Sequence, residues 1–152
     1  MTATRATIET LIVRRCRNLM DAVGFALTYA GANDDLNDPI GWAIRQKGGT
    51  VLNAVSVSDA DVANIADADF DALIDLAEYR TLVNIKGNYA LVDVKAGPYS
   101  ESLSQNASNL EQLIARKWAY IQSAYGIGAP TMEAGVISET FATHFDDPLP
   151  SE

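Results

Sequence analysis

The sequence predicts a mainly α-helical fold: a small helical bundle with an extended loop or short strand segment and an extended C-terminal arm. Apolar residues recur at helical spacing in three long stretches, and segments containing glycine, proline or asparagine separate them. Of the 152 residues, 48% are hydrophobic and 20% charged, which suits one domain with a real core. We expect a helical domain over residues 1–130 and an arm over 131–152.

The first helix is predicted from Ala6 to about Ala30, where Gly31 and the next two residues end it. The pattern places Glu9 and Arg14 on the solvent side, together with Arg17, Asn18 and Asp21. The apolar face, which includes the single cysteine as a buried packing residue, consists of Ile8, Leu11, Ile12, Cys16, Leu19, Met20, Val23 and Leu27.

The middle of the chain predicts shorter elements. Asp38 suits a helix N-cap and Pro39 the first helical position, so a short helix is expected from Pro39 to about Lys47, ended by two glycines. The β-branched run Thr50–Val57 predicts an extended loop or a short strand. Ser58 then begins an N-cap signature that opens a turn of helix through Ile65.

Two more helices are predicted in the second half. One runs from Asp67 to about Ile85, with Lys86-Gly87-Asn88 closing it. Leu91–Lys95 fits either a strand or a helical turn. A polar linker is expected over Ser100–Gln105, followed by a helix over Asn106–Tyr125. The apolar face of that last helix is predicted to contain Leu110, Leu113, Ile114, Trp118 or the stem of Lys117, Ile121 and Tyr125.

The residue inventory argues against metal, cofactor and catalytic chemistry. His144 is the only histidine and Cys16 the only cysteine, whereas zinc sites use three or four such ligands. A calcium-loop pattern begins at Asp67, but Ala72 stands where the sharp turn of such a loop requires glycine. Its candidate ligands are Asp67, Asp69, Asp71, Asp75 and Glu78. The same residues make a good helix start, so no metal or cofactor is expected.

The charge balance restricts the partners. A formal net charge of −9 should repel DNA phosphate and anionic membranes, so neither sequence-specific nucleic-acid binding nor membrane association is expected. The same acidity suits a protein that lets DNA pass without sticking to it. The basic cluster Arg14, Arg15 and Arg17 favours salt bridges to acidic helices of the same or a neighbouring subunit over a DNA contact.

The last 22 residues, Thr131–Glu152, carry isolated apolar side chains without a helical or strand pattern. Such side chains need a surface to cover them, and a neighbouring subunit is the favoured one. The alternative is a terminus without a fixed contact. The residues expected to dock are Met132, Ile137, Phe141 and Phe145.

The run Gly87–Gln105, with the sequence GNYALVDVKAGPYSESLSQ, and the order of the elements resemble the head–tail connector (adaptor) proteins of tailed bacteriophages. The resemblance implies a ring of identical subunits in the virion neck, assembled in the bacterial cytoplasm. The ring would dock to the portal protein through the arm, bridge to a tail or stopper protein, and pass DNA through its lumen. The family has no catalytic residues.

Within such a ring, Arg14 and Arg17 are expected to pair with acids of the next subunit around Asp67 to Asp75, among them Asp67 and Asp71. Two other hypotheses remain open from the sequence. One is a small cytoplasmic helical protein-binding or regulatory module without catalytic activity. The other is an enzyme with an unrecognised carboxylate site, for which the sequence offers no nucleophile–base pair.

Overall fold

The computed structural model describes residues 4–53, 55–93 and 100–127, with the backbone alone at 90–93 and 100–105. This part of the chain is a small helical bundle, as predicted, and of the two alternatives left open for its middle segment it contains a loop and no strand. Single 3₁₀ turns at Asp34–Leu36 and Asp67–Asp69 precede the second and fourth helices. The helices are α1 (Arg5–Ala22), α2 (Asn37–Gln46), α3 (Asp59–Ala63), α4 (Phe70–Asp93) and α5 (Ser100–Tyr125). The predicted arm, 131–152, lies outside the described residues.

Helix α4 lies at the centre of the bundle, and α1, α2 and α5 all pack against it. Its side chains from Ala72 to Ala77 are all buried, so it presents apolar surface on several sides. A helix that is apolar around most of its circumference is stable only when other helices surround it. Cys16 lies in the core, as predicted, together with Ile8, Ile12, Met20, Leu36, Ile40, Ile44, Val62, Leu73, Leu76, Leu82, Ile85, Leu110 and Ile121.

Helix α1 ends at Ala22, eight residues before the predicted end. Gly24 adopts a left-handed conformation, with φ of +76°. The amide of Phe25 donates to the carbonyl of Met20, and that of Gly24 to the carbonyl of Asp21. This pair of bonds satisfies the last carbonyls of the helix and turns the chain away from its axis. Leu27, predicted on the helix face, therefore packs against the core from a loop.

The middle elements largely match their predictions. Helix α2 ends at Gln46, and Gly48 follows with φ of +78°. Ser58 caps α3 through a reciprocal pair of bonds with Asp61, the capping box. Asp38 does not cap α2, because the helix begins at Asn37; its carboxylate instead accepts hydrogen bonds from the side chains of Arg80 and Asn84 on α4. Thr50–Val57 is a loop wherever it is described.

Helices α4 and α5 are both longer than predicted. Lys86-Gly87-Asn88 does not close α4, which continues to Asp93. A single helical glycine costs only about 1 kcal/mol, which the buried Leu82 and Ile85 beside it can offset. Residues 91–93 are therefore helical, whereas 94 and 95 lie outside the described residues. The predicted polar linker, Ser100–Gln105, is the first turn and a half of α5.

None of the helices in the described part of the chain combines the length and the apolar composition that crossing a bilayer requires.

Candidate functional site

A cluster of charged side chains joins three helices of the bundle. Arg15 comes from α1, Asp75 and Glu78 from α4, and Lys117 and Tyr125 from α5. Lys117 Nζ lies 2.7 Å from Asp75 Oδ1 and 2.8 Å from Glu78 Oε2. Arg15 Nη1 lies 2.7 Å from the same Glu78 oxygen and 3.2 Å from Asp75 Oδ1. The Tyr125 hydroxyl donates to Asp75 Oδ2 at 2.7 Å. The cluster therefore fixes α1 and α5 to α4.

Partial burial and mutual pairing shift the pKa values of this cluster. Burial alone would raise the pKa of Asp75, but the hydrogen bonds from Lys117 and Tyr125 and the charges of Lys117 and Arg15 hold it below its usual value. Burial would lower the pKa of Lys117, and its bonds to both carboxylates raise it. Burial and the Asp75 carboxylate raise the pKa of Tyr125. All three groups therefore keep their ordinary charge near neutral pH.

The cluster forms the floor of an open cleft of about 400 Å³. We call this feature the ionic cleft; its residues are Arg15, Asp71, Asp75, Glu78, Lys117, Tyr120 and Tyr125. Both cations in it are already paired with Asp75 and Glu78, so they are poorly placed to hold a phosphate. Two cations face three carboxylates, and the extra one, Asp71, is exposed. The arrangement therefore suits a positively charged group.

We expect the ionic cleft to make stability sensitive to acid. The pKa of Asp75 is lower in the folded chain, so its contribution is present above about pH 4 and is lost as the pH falls through the folded value. Urea unfolding of wild type and Asp75→Asn should therefore give free energies that converge as the pH falls below about 4. The exposed Asp71 provides the matched control. If the unfolding free energies of wild type and Asp71→Asn converge with pH in the same way, Asp75 is not the source of the acid sensitivity.

A second charged network is fully buried at the start of α1. Glu9 is 0% exposed and Arg5 3% exposed. Arg5 Nε donates to Glu9 Oε1 at 2.8 Å, while the amides of Gly31 and Asn33 donate to the Glu9 carboxylate at 2.6 and 3.0 Å. The prediction that Glu9 faces solvent is wrong. Its spacing gives the physical reason: Glu9 precedes the buried Val13 by four residues and Cys16 by seven, which places it on the core side.

Arg5 completes this network by holding two loops. Its guanidinium donates to the backbone carbonyls of Val57 and Asn33, and its backbone amide donates to Asp59 Oδ1 at 2.7 Å. The loops after α1 and before α3 are thus tied to the same end of α1. The role is structural, because every buried polar side-chain atom in the described part of the chain has a hydrogen-bond partner. In the sequence, the signal that could have indicated this network is the spacing of Arg5 and Glu9, which are four residues apart and so adjacent on a helix.

The aromatic residues of the bundle divide between buried and exposed positions. Trp42, Tyr79 and Trp118 form a continuous stack across α2, α4 and α5, with ring centroids 6.0 and 4.8 Å apart. All three are partly buried against the core. Tyr120 points outward and is 53% exposed, and its ring lies edge-on to Tyr125. Tyr120 is therefore the aromatic residue of the ionic cleft that is most available to a partner.

The predicted inter-subunit residues are all exposed. Arg14 and Arg17 lie on the outer face of α1, Asp67 begins a 3₁₀ turn, and Asp71 lies in the first turn of α4. Of Arg14, Arg15 and Arg17, only Arg15 forms ion pairs among the described residues, and its partners are Asp75 and Glu78. Neither Arg14 nor Arg17 therefore meets Asp67 or Asp71 within the described part of one chain. The predicted docking residues Met132, Ile137, Phe141 and Phe145, and also His144, lie outside the described residues.

The calcium-loop pattern forms helix rather than loop. Asp67–Asp69 is a 3₁₀ turn that leads directly into α4, and Asp75 and Glu78 are engaged by Arg15 and Lys117. Within the described ranges, no three histidine, cysteine, aspartate or glutamate side chains come together as a metal site would require. Burial raises the pKa of the Cys16 thiol to about 12, so Cys16 stays protonated and packs as an apolar side chain.

Comparison with models of known protein families, with characterised proteins and with solved structures finds no match for this chain.

Proposed function

We propose that this chain is a structural subunit of a virion neck, a head–tail connector that forms a ring, docks to the portal protein and passes DNA through its lumen. The observation that carries the proposal is the surface charge of the helical bundle. Exposed acids lie at the start of α4, exposed arginines lie along α1, and the net charge of the whole chain, which includes the residues after the bundle, is −9. A ring with such a surface would not retain DNA, while Arg14 and Arg17, which form no ion pair with the other described residues, would bind the next subunit.

Two further features support the proposal. The run Gly87–Gln105, which carries the resemblance to connector proteins, includes the end of α4 and the start of α5. Outside that run, the earlier part of α4 and the later part of α5 are joined to each other through the ionic cleft and the aromatic stack. A rigid bundle of this kind can keep its shape while its surfaces bind neighbours. The bridge to a tail or stopper protein remains part of the proposal.

We expect deletion of Thr131–Glu152 to leave the bundle folded and to abolish docking. The reason is the composition change after Gly126, which follows the last helix with φ of +63°. Circular dichroism should retain most of the helical signal, and a pull-down with candidate portal rings should lose the complex. As a control, the full-length chain that carries Phe141→Ser and Phe145→Ser in place of the deletion should fold like wild type. Loss of most helicity on truncation would show that the arm belongs to the core.

A second candidate function is a helical protein-binding module in the cytoplasm. One observation favours it: Leu52 and Val55, on the loop before α3, are 87% and 79% exposed. A protein partner that covered these two aliphatic side chains would gain the free energy of burying them. The pull-down separates the candidates, because a connector binds portal rings whereas a regulatory module does not.

A further inference from the structure

We propose that the ionic cleft of one copy receives the Arg17 side chain of a second copy, with Asp71 as its carboxylate partner and the Tyr120 ring as its stacking surface. This inference rests on the proposed ring and deepens it, because it names the two surfaces that meet. Its grounds are the charge of the cleft, the exposed aromatic ring in it, and the position of Arg17 on α1.

The cleft has one carboxylate more than its cations can neutralise. Arg15 and Lys117 both bind the oxygens of Asp75 and Glu78, at distances between 2.7 and 3.2 Å. Asp71 lies one helical turn before Asp75, lines the same cleft and is exposed. Among the ion pairs of the described residues, none uses Asp71. A third cation would therefore gain a carboxylate without displacing an existing pair.

Tyr120 makes arginine a better occupant than lysine. Its ring lines the cleft and is 53% exposed, and Lys117 Nζ lies 5.8 Å from its centroid. A guanidinium is planar, so it can stack on an aromatic ring and bind a carboxylate with two parallel hydrogen bonds. An ammonium group can lie over a ring and bind carboxylates, as Lys117 does, but it has no planar face for stacking and no paired donors for a bidentate bond. The cleft therefore combines the two contacts that arginine side chains prefer.

Arg17 does not line the cleft of its own chain. Two residues along an α-helix correspond to a rotation of about 200°, so Arg17 projects on nearly the opposite side of α1 from Arg15, which points into the cleft. The donor and the acceptor surfaces thus lie on different sides of one subunit. Contacts between different surfaces of identical copies are head-to-tail, and they close into a ring when the rotation allows it.

The test is charge reversal on the full chain, followed by sedimentation velocity. Arg17→Glu alone and Asp71→Arg alone should each weaken self-association by about a hundredfold or more, because each places like charges across the interface. An equimolar mixture of the two variants should restore it, since every contact in the mixture can then pair opposite charges. Arg17→Lys should weaken self-association roughly three- to tenfold through loss of stacking.

Two controls keep the result interpretable. Arg45→Glu reverses an exposed arginine on α2 and should leave self-association unchanged. Asp71→Asn avoids placing a new cation beside Arg15 and Lys117, so it tests the same contact if Asp71→Arg fails to fold by circular dichroism. It should weaken self-association at least tenfold.

A covalent capture extends the test to weak contacts. When Arg17→Cys and Asp71→Cys chains are mixed and treated with a short thiol-reactive bismaleimide, a crosslinked heterodimer should form, because the spacer covers the distance that the arginine and aspartate side chains span and a direct disulfide does not. The native Cys16 is buried and should not compete. The pair Arg45→Cys with Asp71→Cys should give none. The proposal is overturned if the mixture of reversals does not restore association, or if the wild type stays monomeric at about 1 mM and the crosslink is absent.

The outcomes also separate this contact from the proposed function. If the chain binds portal rings but the mixed variants fail to complement, the ring uses another interface and the inference fails alone. If the variants complement each other but no portal protein is captured, the head-to-tail contact stands and the connector function fails.

Discussion

Replacing Glu9 with alanine should destabilise the protein by about 3–5 kcal/mol, the range for removing one partner of a buried ion pair. The change leaves the Arg5 guanidinium buried without its countercharge. It also removes the acceptor of the Gly31 and Asn33 amides. The loss is a large part of the roughly 5–15 kcal/mol by which such domains are typically stable, about 10 kcal/mol being the middle of that range. At about 2–4 °C per kcal/mol for a domain of this size, the melting temperature should fall by roughly 6–20 °C.

Urea unfolding followed by circular dichroism measures this effect, and a surface ion pair provides the control. Glu111 lies 2.7 Å from Lys86, but the two side chains are 58% and 47% exposed. Glu111→Ala should therefore cost less than about 1 kcal/mol. Glu9→Gln, which keeps the shape but not the charge, should fall between the two variants. A cost for Glu9→Ala as small as that of the control would show that water replaces the carboxylate.

The Glu9 network also shows which features of the fold local sequence patterns do not predict. Helical spacing located all the main helices, because apolar side chains must share one face to be buried. The ends were less predictable. Gly24 ended α1, whereas Gly87 did not end α4. Whether a helix ends at a glycine depends on the hydrogen bonds and packing around that residue, and both depend on the rest of the fold.

The candidate site was only partly predictable for a related reason. The acids of α4 and the arginines of α1 were visible in the sequence, and their pairing within or between subunits was left open. The structure pairs Arg15 with Asp75, sixty residues away along the chain. Such a contact depends on how α1 is rotated against α4, which no local spacing encodes. The part played by Lys117 and Tyr125 follows from the packing of α5 in the same way.

Replacing Ile121 with alanine should cost about 2–5 kcal/mol, the second large effect that we expect. Ile121 is 0% exposed and lies in the α5 surface that packs on α4. The truncation leaves a cavity between two long helices that cannot easily move together, because the ionic cleft and the aromatic stack hold their separation. Equilibrium unfolding in urea would give the loss directly.

Leu113 on the same helix is the matched control. It was predicted on the apolar face of α5 but is 43% exposed, because it lies about a quarter turn from the buried stripe that contains Leu110 and Ile121. Leu113→Ala should therefore change stability by less than about 1 kcal/mol. An equal cost for both substitutions would mean that α5 is buried on its outer side as well. The expected difference would instead show that the outer side of α5, with Leu113 and Tyr120, contributes little to the stability of the bundle.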